Sequence, residues 1–424
     1  MRKARQVIIG NSAAGLSAIK AIREIDNVCP ITLISSENCN AYSPVSLTHY
    51  LKGEMPRESL FIVHKDFYQM NNVEMEFGSR AIWIDHLEQT VHLENGRKVK
   101  YDNLLIATGA SPIKLLGTED GVDNVFSLRT IEDAEKIAKC IRTAKEVIII
   151  GAGLIGLQVS DGLFKEGIRF TILEWAEQVL PDVTDINSAA IVQREIESHG
   201  ISIFLGRRVK GIGRKGRKTF VTTDSGEELI ADMVVVGIGV RPNIQLINTR
   251  EIKVNRGILV DEMMRTNVDN IFAAGDVSEG ENLVTGRNEV LLNWSNACKQ
   301  GRMAGLNMAG GEQRYEGGLA ENITTIFGLT LATIGLPRVS KANGVEELQS
   351  YSPKEKSYRK ILLAGNKVVG AVLLGRTSDV GILENFIKVK KDISPWKGTI
   401  ARTPLDLREI LLSVKNLQAP RLWL

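Results

Sequence analysis

Residues 37–54 read ENCNAYSPVSLTHYLKGE and bring a thiol at Cys39 close to a titratable imidazole at His49. A thiolate can attack or store electrons, and an imidazole can move a proton near neutral pH. The chain has four cysteines, Cys29, Cys39, Cys140 and Cys298, and no C-x-x-C spacing. That excludes an ordinary iron–sulfur or structural zinc site held by this chain alone, and no metal site is expected. Reduced, buried thiols are the simpler expectation, because free cysteine packs as a small hydrophobe.

Two glycine-rich turns offer another chemistry: G-N-S-A-A-G (10–15) and G-A-G-L-I-G (151–156). In such a turn the first glycine allows the tight bend and the second lets backbone approach a pyrophosphate. The third lets helix and strand pack closely, with the phosphates at the helix N-terminus. The second copy is complete, with Gly151, Gly153 and Gly156, and Glu174 closes the strand that follows. A carboxylate there accepts hydrogen bonds from an adenosine ribose diol and repels a 2′-phosphate, which points to NAD rather than NADP. The first copy is imperfect. Ser12 replaces the middle glycine, Ser35 stands in the place matching Glu174, and Glu37 is the nearest carboxylate.

Two further segments end in small or acidic residues: YDNLLIATGASP (101–112), with Thr108 and Gly109, and TNVDNIFAAGDVSE (266–279), with Asp276. Strands that deliver such residues suit a ribitol hydroxyl or a phosphate. For Asp276 a helix N-cap or a turn position is the alternative.

The elements that must carry these turns follow from apolar spacing. Val7–Ile9 and Val147–Ile150 are expected as buried parallel strands, with second strands at Ile31–Ile34 and Phe170–Leu173. Ala13–Ile25 has helical spacing of Leu16, Ile19, Ala21 and Ile22. At 424 residues the chain suggests two or three domains. Its 43% hydrophobic and 24% charged residues are those of a globular protein, and a net charge of +3 gives no reason to invoke nucleic acid. No apolar run reaches the roughly 20 residues of a membrane span, and the N-terminal run is too short for a signal peptide. A cytoplasmic protein is expected.

In order along the chain, G-N-S-A-A-G, A-T-G-A, G-A-G-L-I-G, VVVGIGVRPN (234–243) and IFAAGDV resemble the FAD- and NAD(P)-dependent pyridine nucleotide–disulfide oxidoreductase family. The resemblance covers nearly the whole chain. It implies an α/β protein with two Rossmann-like nucleotide-binding domains in a glutathione-reductase-like arrangement, plus a C-terminal α+β interface domain. FAD would occupy a discontinuous domain of residues 1–112 and 246–318, NAD an inserted domain of 113–245, and the interface domain 319–424. Gly10, Gly15, Glu37, Thr108, Gly109 and Asp276 would contact FAD, and Gly151, Gly153, Gly156 and Glu174 would contact NAD. NWSNACKQGRMAGLNMAGG (293–311) resembles the family helix beside the flavin, where Gly301, a cofactor-binding candidate, and the small residues Ala297, Ala304 and Gly305 would permit close packing; helix core is the alternative.

Thiol-dependent members of the family carry a pattern resembling Y-S-P-C-A-L-P-Y. Here Val45 fills the cysteine's place, and valine forms neither thiolate nor sulfenic acid. Ferredoxin-reductase-like relatives pair a lysine with a glutamate, and the matching positions here are His49 and Gln158. The resemblance places these two between flavin and nicotinamide, Gln158 orienting the carboxamide and His49 tuning or protonating the flavin. A surface histidine and a helix-face glutamine are the alternative.

With no thiol at the redox position, the second electron partner is expected to be external, an iron–sulfur protein or subunit. The same segments resemble NAD-linked FAD subunits of multi-component oxidoreductases, of the tungsten aldehyde oxidoreductase or phenylglyoxylate dehydrogenase type, and rubredoxin and ferredoxin reductases. A thiol-dependent NADH oxidase or coenzyme A disulfide reductase is the other reading. A homodimer or a larger hetero-complex is expected. The basic runs RRVKGIGRKGRK (207–218) and KVKKDISPWKG (388–398) suit an acidic partner, the second beside Trp396 as a possible aromatic anchor. A solvated hairpin is the alternative for the first.

Overall fold

Apolar runs without alternation form the strands at the centre of the molecule, as strands covered on both faces require. The computed structural model describes residues 3–119, 122–336 and 344–401. In chain order the elements used below begin with β1 (Gln6–Ile9), α1 (Ala13–Ile25), β2 (Ile31–Ser35), α2 (Leu47–Leu51), β3 (Val73–Phe77) and β4 (Asn103–Ile106). A second set follows: β5 (Val125–Phe126), α3 (Ile131–Ile141), β6 (Glu146–Ile150), α4 (Leu154–Lys165), β7 (Arg169–Leu173), α5 (Ile186–Ser198), β8 (Ser202–Phe204) and β9 (Met233–Val236). The chain then returns with β10 (Ile271–Ala273) and α6 (Trp294–Met308).

These strands make two five-stranded parallel sheets, ordered β10-β4-β1-β2-β3 and β8-β7-β6-β9-β5. In the first, Val7 lies opposite Thr32 on one side and Leu104 on the other. In the second, Ile148 lies opposite Thr171 and Val234. The strand order reverses at β1/β4 in the first sheet and at β6/β9 in the second. Such a switch point opens a crevice at the C-terminal ends of the strands. The observed β1, α1, β2, β6 and β7 match the spacing argument to within a residue at each end.

α1 packs along α6, which itself touches β10 and β4 of the first sheet, and the buried face of α1 runs through Leu16, Ile19 and Ile22. The two helices touch backbone to backbone. A Cβ on Gly301 would lie 2.1 Å from the Ala14 carbonyl oxygen, and one on Gly305 2.5 Å from that of Ala18. Gly301 thus provides the close packing expected of this helix.

The chain divides into two compact units, the first ending at Asn322 and the second beginning at Ile323. The second unit carries the sheet β11-β12-β15-β14-β13, with β11 (Glu321–Ile326), β12 (Leu329–Gly335), β13 (Val345–Ser352), β14 (Ser357–Ala364) and β15 (Lys367–Leu374). The pairings β12/β15, β15/β14 and β14/β13 are antiparallel, and α7 (Val380–Lys388) packs on β12 and β15. Trp396 corrects an expectation. It is 9% exposed and stacks on Phe386 with Lys391 over its ring, so it is a core residue and not an anchor for a partner. The basic run 207–218 is a hairpin whose charges meet acids, Lys215 with Glu228, Arg214 with Asp123 and Lys218 with Asp232.

The helix seam gives a direct test. Gly301→Ala drives a methyl into the Ala14 backbone, and overpacking of this kind costs about 1–3 kcal/mol. Urea unfolding should show that loss.

Candidate functional site

The glycine turns sit at the two switch points. Gly10 has φ +125° at the end of β1, and a Cβ there would lie 2.0 Å from the Ala107 carbonyl oxygen just past β4. Gly151 has φ +103°, and a Cβ there would lie 2.4 Å from the Gly237 carbonyl oxygen just past β9. The third glycines close each turn, Gly15 against the Gly10 carbonyl and Gly156 against the Gly151 carbonyl, at 2.0 and 1.9 Å from a hypothetical Cβ. Gly153 differs, because its nearest such neighbour is 3.9 Å away. Its missing side chain leaves open room on the turn, where a phosphate approaches.

The helix ends agree. α1 follows Ser12 and α4 follows Gly153 with no side-chain cap, whereas Thr130, Asp185 and Asn293 cap α3, α5 and α6. The first N–H groups of α1 and α4 are thus left for an anion, which the helix dipole also favours. A diphosphate fits each turn on these grounds. A separate cavity of about 520 Å³ touches Glu146, Arg169 and Ser202, the first residues of β6, β7 and β8. It lies at the strand ends opposite the turns.

At the first turn Glu37 follows β2, and its Oε2 accepts a 2.8 Å hydrogen bond from the Tyr42 hydroxyl. Burial pushes its carboxyl pKa up, with the Tyr42 bond opposing. The Thr108 hydroxyl donates to the Asn243 carbonyl (2.9 Å), and the Asn243 side-chain amide donates back to the Thr108 carbonyl (2.8 Å). The Asn243 N–H also holds the Gly109 carbonyl, which fixes Thr108-Gly109 against the chain leaving the second fold.

Gly109 has φ +65°, and its bare Cα makes room for Arg129. Arg129 donates through Nε to the Ala110 carbonyl at 2.8 Å and lies 3.8 Å from an Asp276 carboxylate oxygen. Burial raises the Asp276 pKa and Arg129 opposes the rise. Asp276 stands in a turn and starts no helix, while the Gln300 side chain accepts from the neighbouring Gly275 N–H. Glu37, Gly109 and Asp276 thus share a neighbour in the Arg129 guanidinium.

At the second turn Glu174 has a role the spacing did not show. It is 3% exposed, and its two oxygens accept from the Ala152 and Ala176 N–H groups at 2.7 and 2.8 Å. The carboxylate braces the Gly151–Gly153 turn. Beside it Trp175 is exposed, with the Arg208 guanidinium over its ring.

His49 and Gln158 stand differently from the expectation. His49 is a half-exposed residue of α2 whose Nδ1 lies 2.5 Å from Glu54 Oε2. Gln158 is half-buried on α4. Three residues beyond each lies a pair the spacing argument missed: Lys52 and Asp161, 2.5 Å apart and only 6% and 7% exposed. Removing one partner of such a pair costs about 3–5 kcal/mol, because the other charge stays buried.

The thiol question has a geometric answer. Val45 is 59% exposed, in a short 3-10 turn before α2. Cys39 is held by its backbone, the Asn11 amide donating to its carbonyl at 3.2 Å while Tyr68 donates to Asn11. Burial, then the Glu37 charge, pushes its thiol pKa up, the wrong direction for a reactive thiolate. All four cysteines are unpaired.

Two parallel sheets, each with a glycine turn and an uncapped helix at its switch point, define a protein that binds two dinucleotides. Residues 4–301 match the family described as Pyridine nucleotide-disulphide oxidoreductase, and the chain belongs to it. It is an NAD-dependent oxidoreductase that uses FAD and NAD(H). Residues 322–391 match the Rubredoxin NAD+ reductase C-terminal domain. The chain is 31% identical over 415 residues to the NADH-dependent phenylglyoxylate dehydrogenase subunit epsilon of Aromatoleum evansii, covering 96% of this chain and 97% of that one. It is 32% identical to the NADH oxidase of Methanocaldococcus jannaschii, covering 88% and 87%. Among solved structures, the covalent putidaredoxin reductase–putidaredoxin complex matches with a TM-score of 0.89 at 25% identity, covering 98% of this chain and all of that one. Some other curated relatives are matched over only about half their length.

Two predictions follow from the charges. Arg129→Met leaves Asp276 without its cation, so FAD binding should weaken about tenfold or more, read by fluorescence titration of the apoprotein. The Glu54 carboxyl is pushed down to about 2, first by the hydrogen bond from Lys165 and then by that from His49. A depressed carboxyl contributes stability above its ordinary value of 4.5, and the contribution fades as pH falls toward about 2. Glu54 is 37% exposed, so solvent screening keeps the effect under about 1 kcal/mol. The stability gap between wild type and Glu54→Gln should therefore close as pH is lowered through this window in urea titrations.

Proposed function

We propose that this chain carries electrons between NAD(H) and an iron–sulfur protein. The observation that carries the reading is the redox position itself: Val45 stands there, and the nearest candidate thiol, Cys39, is fixed by its backbone and held protonated. Electrons that enter from NADH then have no thiol to rest on and must leave the chain. The matches to the rubredoxin reductase C-terminal domain and to a reductase bound to putidaredoxin support an iron–sulfur acceptor or donor.

The first fold, residues 1–112 and 246–318, is the FAD domain in this reading, with Glu37 for the ribose and Arg129 and Asp276 around the ribitol and phosphates. The second, residues 113–245, takes NAD on Gly151, Gly153 and Gly156, with Glu174 bracing the turn beside the adenosine ribose. Bound flavin supplies the conversion between two-electron hydride chemistry and one-electron steps. The protein's own part is to hold the diphosphates and exclude a competing thiol. Residues 319–424 form the interface domain, which suits a homodimer or a place in a larger complex. No described helix is long and apolar enough to cross a membrane, and the unpaired cysteines suit the reducing cytoplasm.

Anaerobic titration with NADH tests the reading. The flavin absorbance should bleach fully at about one NADH per FAD, and Cys39→Ser should leave that endpoint unchanged. A need for about two equivalents, with a long-wavelength thiolate–flavin band midway, would show a hidden thiol centre and favour the oxidase-like alternative.

A further inference from the structure

A chain of alternating charge runs from α2 to α4, one helix from each nucleotide fold. Lys52, the C-cap of α2, meets Asp161 of α4 at 2.5 Å, with both side chains shielded from solvent. Asp161 also lies 4.0 Å from Lys165, which reaches Glu54 at 2.7 Å, and Glu54 meets His49 at 2.5 Å. Five side chains thus bind the end of α2 to the middle and end of α4.

The lane for Lys52 is built into α4. Its neighbour Gly162 has no side chain, and a Cβ there would lie 3.3 Å from Lys52 Cγ. A glycine in a helix interior is disfavoured, so the clearance answers to the lysine stem that crosses it.

Apolar packing tolerates small slides, whereas a buried ion pair is compensated only where the charges meet. The pair therefore fixes one setting of α4 on α2. α4 begins at the Gly151–Gly156 turn, and Asp161 sits seven residues along it, about 10 Å from Leu154. α2 follows the loop from β2 and Glu37. Shifting one helix on the other shifts one nucleotide turn relative to the other.

We propose that Lys52 and Asp161, extended by Lys165, Glu54 and His49, are positioning residues that set the approach of the two nucleotide sites and thereby the rate of hydride transfer. The role rests on the reading that FAD and NAD(H) occupy the two folds. NADH delivers a hydride, two electrons and one proton, to the flavin and leaves as NAD+; one further proton comes from solvent. Misplacement of reacting atoms by about 1 Å costs on the order of a hundredfold in rate, so small slides are enough to be read.

Stopped-flow reduction of the FAD-loaded full chain by NADH separates apparent affinity from the limiting rate. The double variant Lys52→Met, Asp161→Leu removes both charges together and leaves neither unpaired. Its limiting rate should fall roughly ten- to hundredfold while the apparent Kd for NADH stays within about threefold. Lys52→Arg should recover part of the rate. Lys165→Gln, at a half-exposed position that folding tolerates, should lower the limiting rate roughly threefold, and it decides the matter if the double variant does not fold. Limiting rates within about 1.5-fold of wild type in every folded variant overturn the positioning role alone. A wild-type protein that retains FAD but is not reduced by NADH overturns the functional reading, and the positioning role falls with it.

Discussion

Two contacts of bare backbone on bare backbone underlie everything else in this molecule. Gly10 lies against the carbonyl of Ala107 and Gly151 against that of Gly237, at separations no side chain permits. Each contact sits where a parallel sheet reverses its strand order, so it both closes the sheet and shapes the crevice above it. Glycine brings an entropic cost at such places. The fully buried strands around them, with Val7, Ile8, Leu104 and Leu105 in one sheet and Ile149, Val234 and Val235 in the other, offset that cost by removing apolar surface from water.

The two folds treat their carboxylates differently, and the contrast is chemical. Around the first turn, Glu37 and Asp276 are partly buried with raised pKa values, and Arg129 favours the charged form of both. Around the second, Glu174 has no cation in its bonds and is satisfied by two backbone N–H groups. The first arrangement can respond to a bound anion or diol because a side chain can shift. The second is rigid, since its donors belong to the turn it braces.

Much of this was legible in the sequence. Apolar runs, glycine spacing and the order of the motifs located both sheets and both turns, because such close approach requires glycine and buried parallel strands are mostly apolar. The details of charge were not legible. Arg129 and Asn243 reach the first turn from distant segments, and nothing in SLRTIED or VRPN shows where their side chains go. Lys52 and Asp161 each lie one helical turn beyond the residues singled out, His49 and Gln158. Only the packing of α2 on α4 reveals that the buried charges are the later ones. Trp396 misled for a similar reason: an aromatic among lysines reads as surface, yet Phe386, a neighbour only in space, covers it.

The α1–α6 seam has a consequence for how the chain is made. Gly301 and Gly305 press on Ala14 and Ala18, some 290 positions earlier in the order of synthesis. The second sheet, by contrast, draws all its strands from one continuous stretch between Val125 and Val236. On the ribosome the later-numbered sheet can therefore close first, while α1, the first helix synthesised, waits for its partner. Domains fold as units once their residues have emerged, and contacts of long sequence separation come late. The nascent chain thus spends much of its synthesis with the second sheet closed and the first still open, and the arrival of α6 is the event that completes the first.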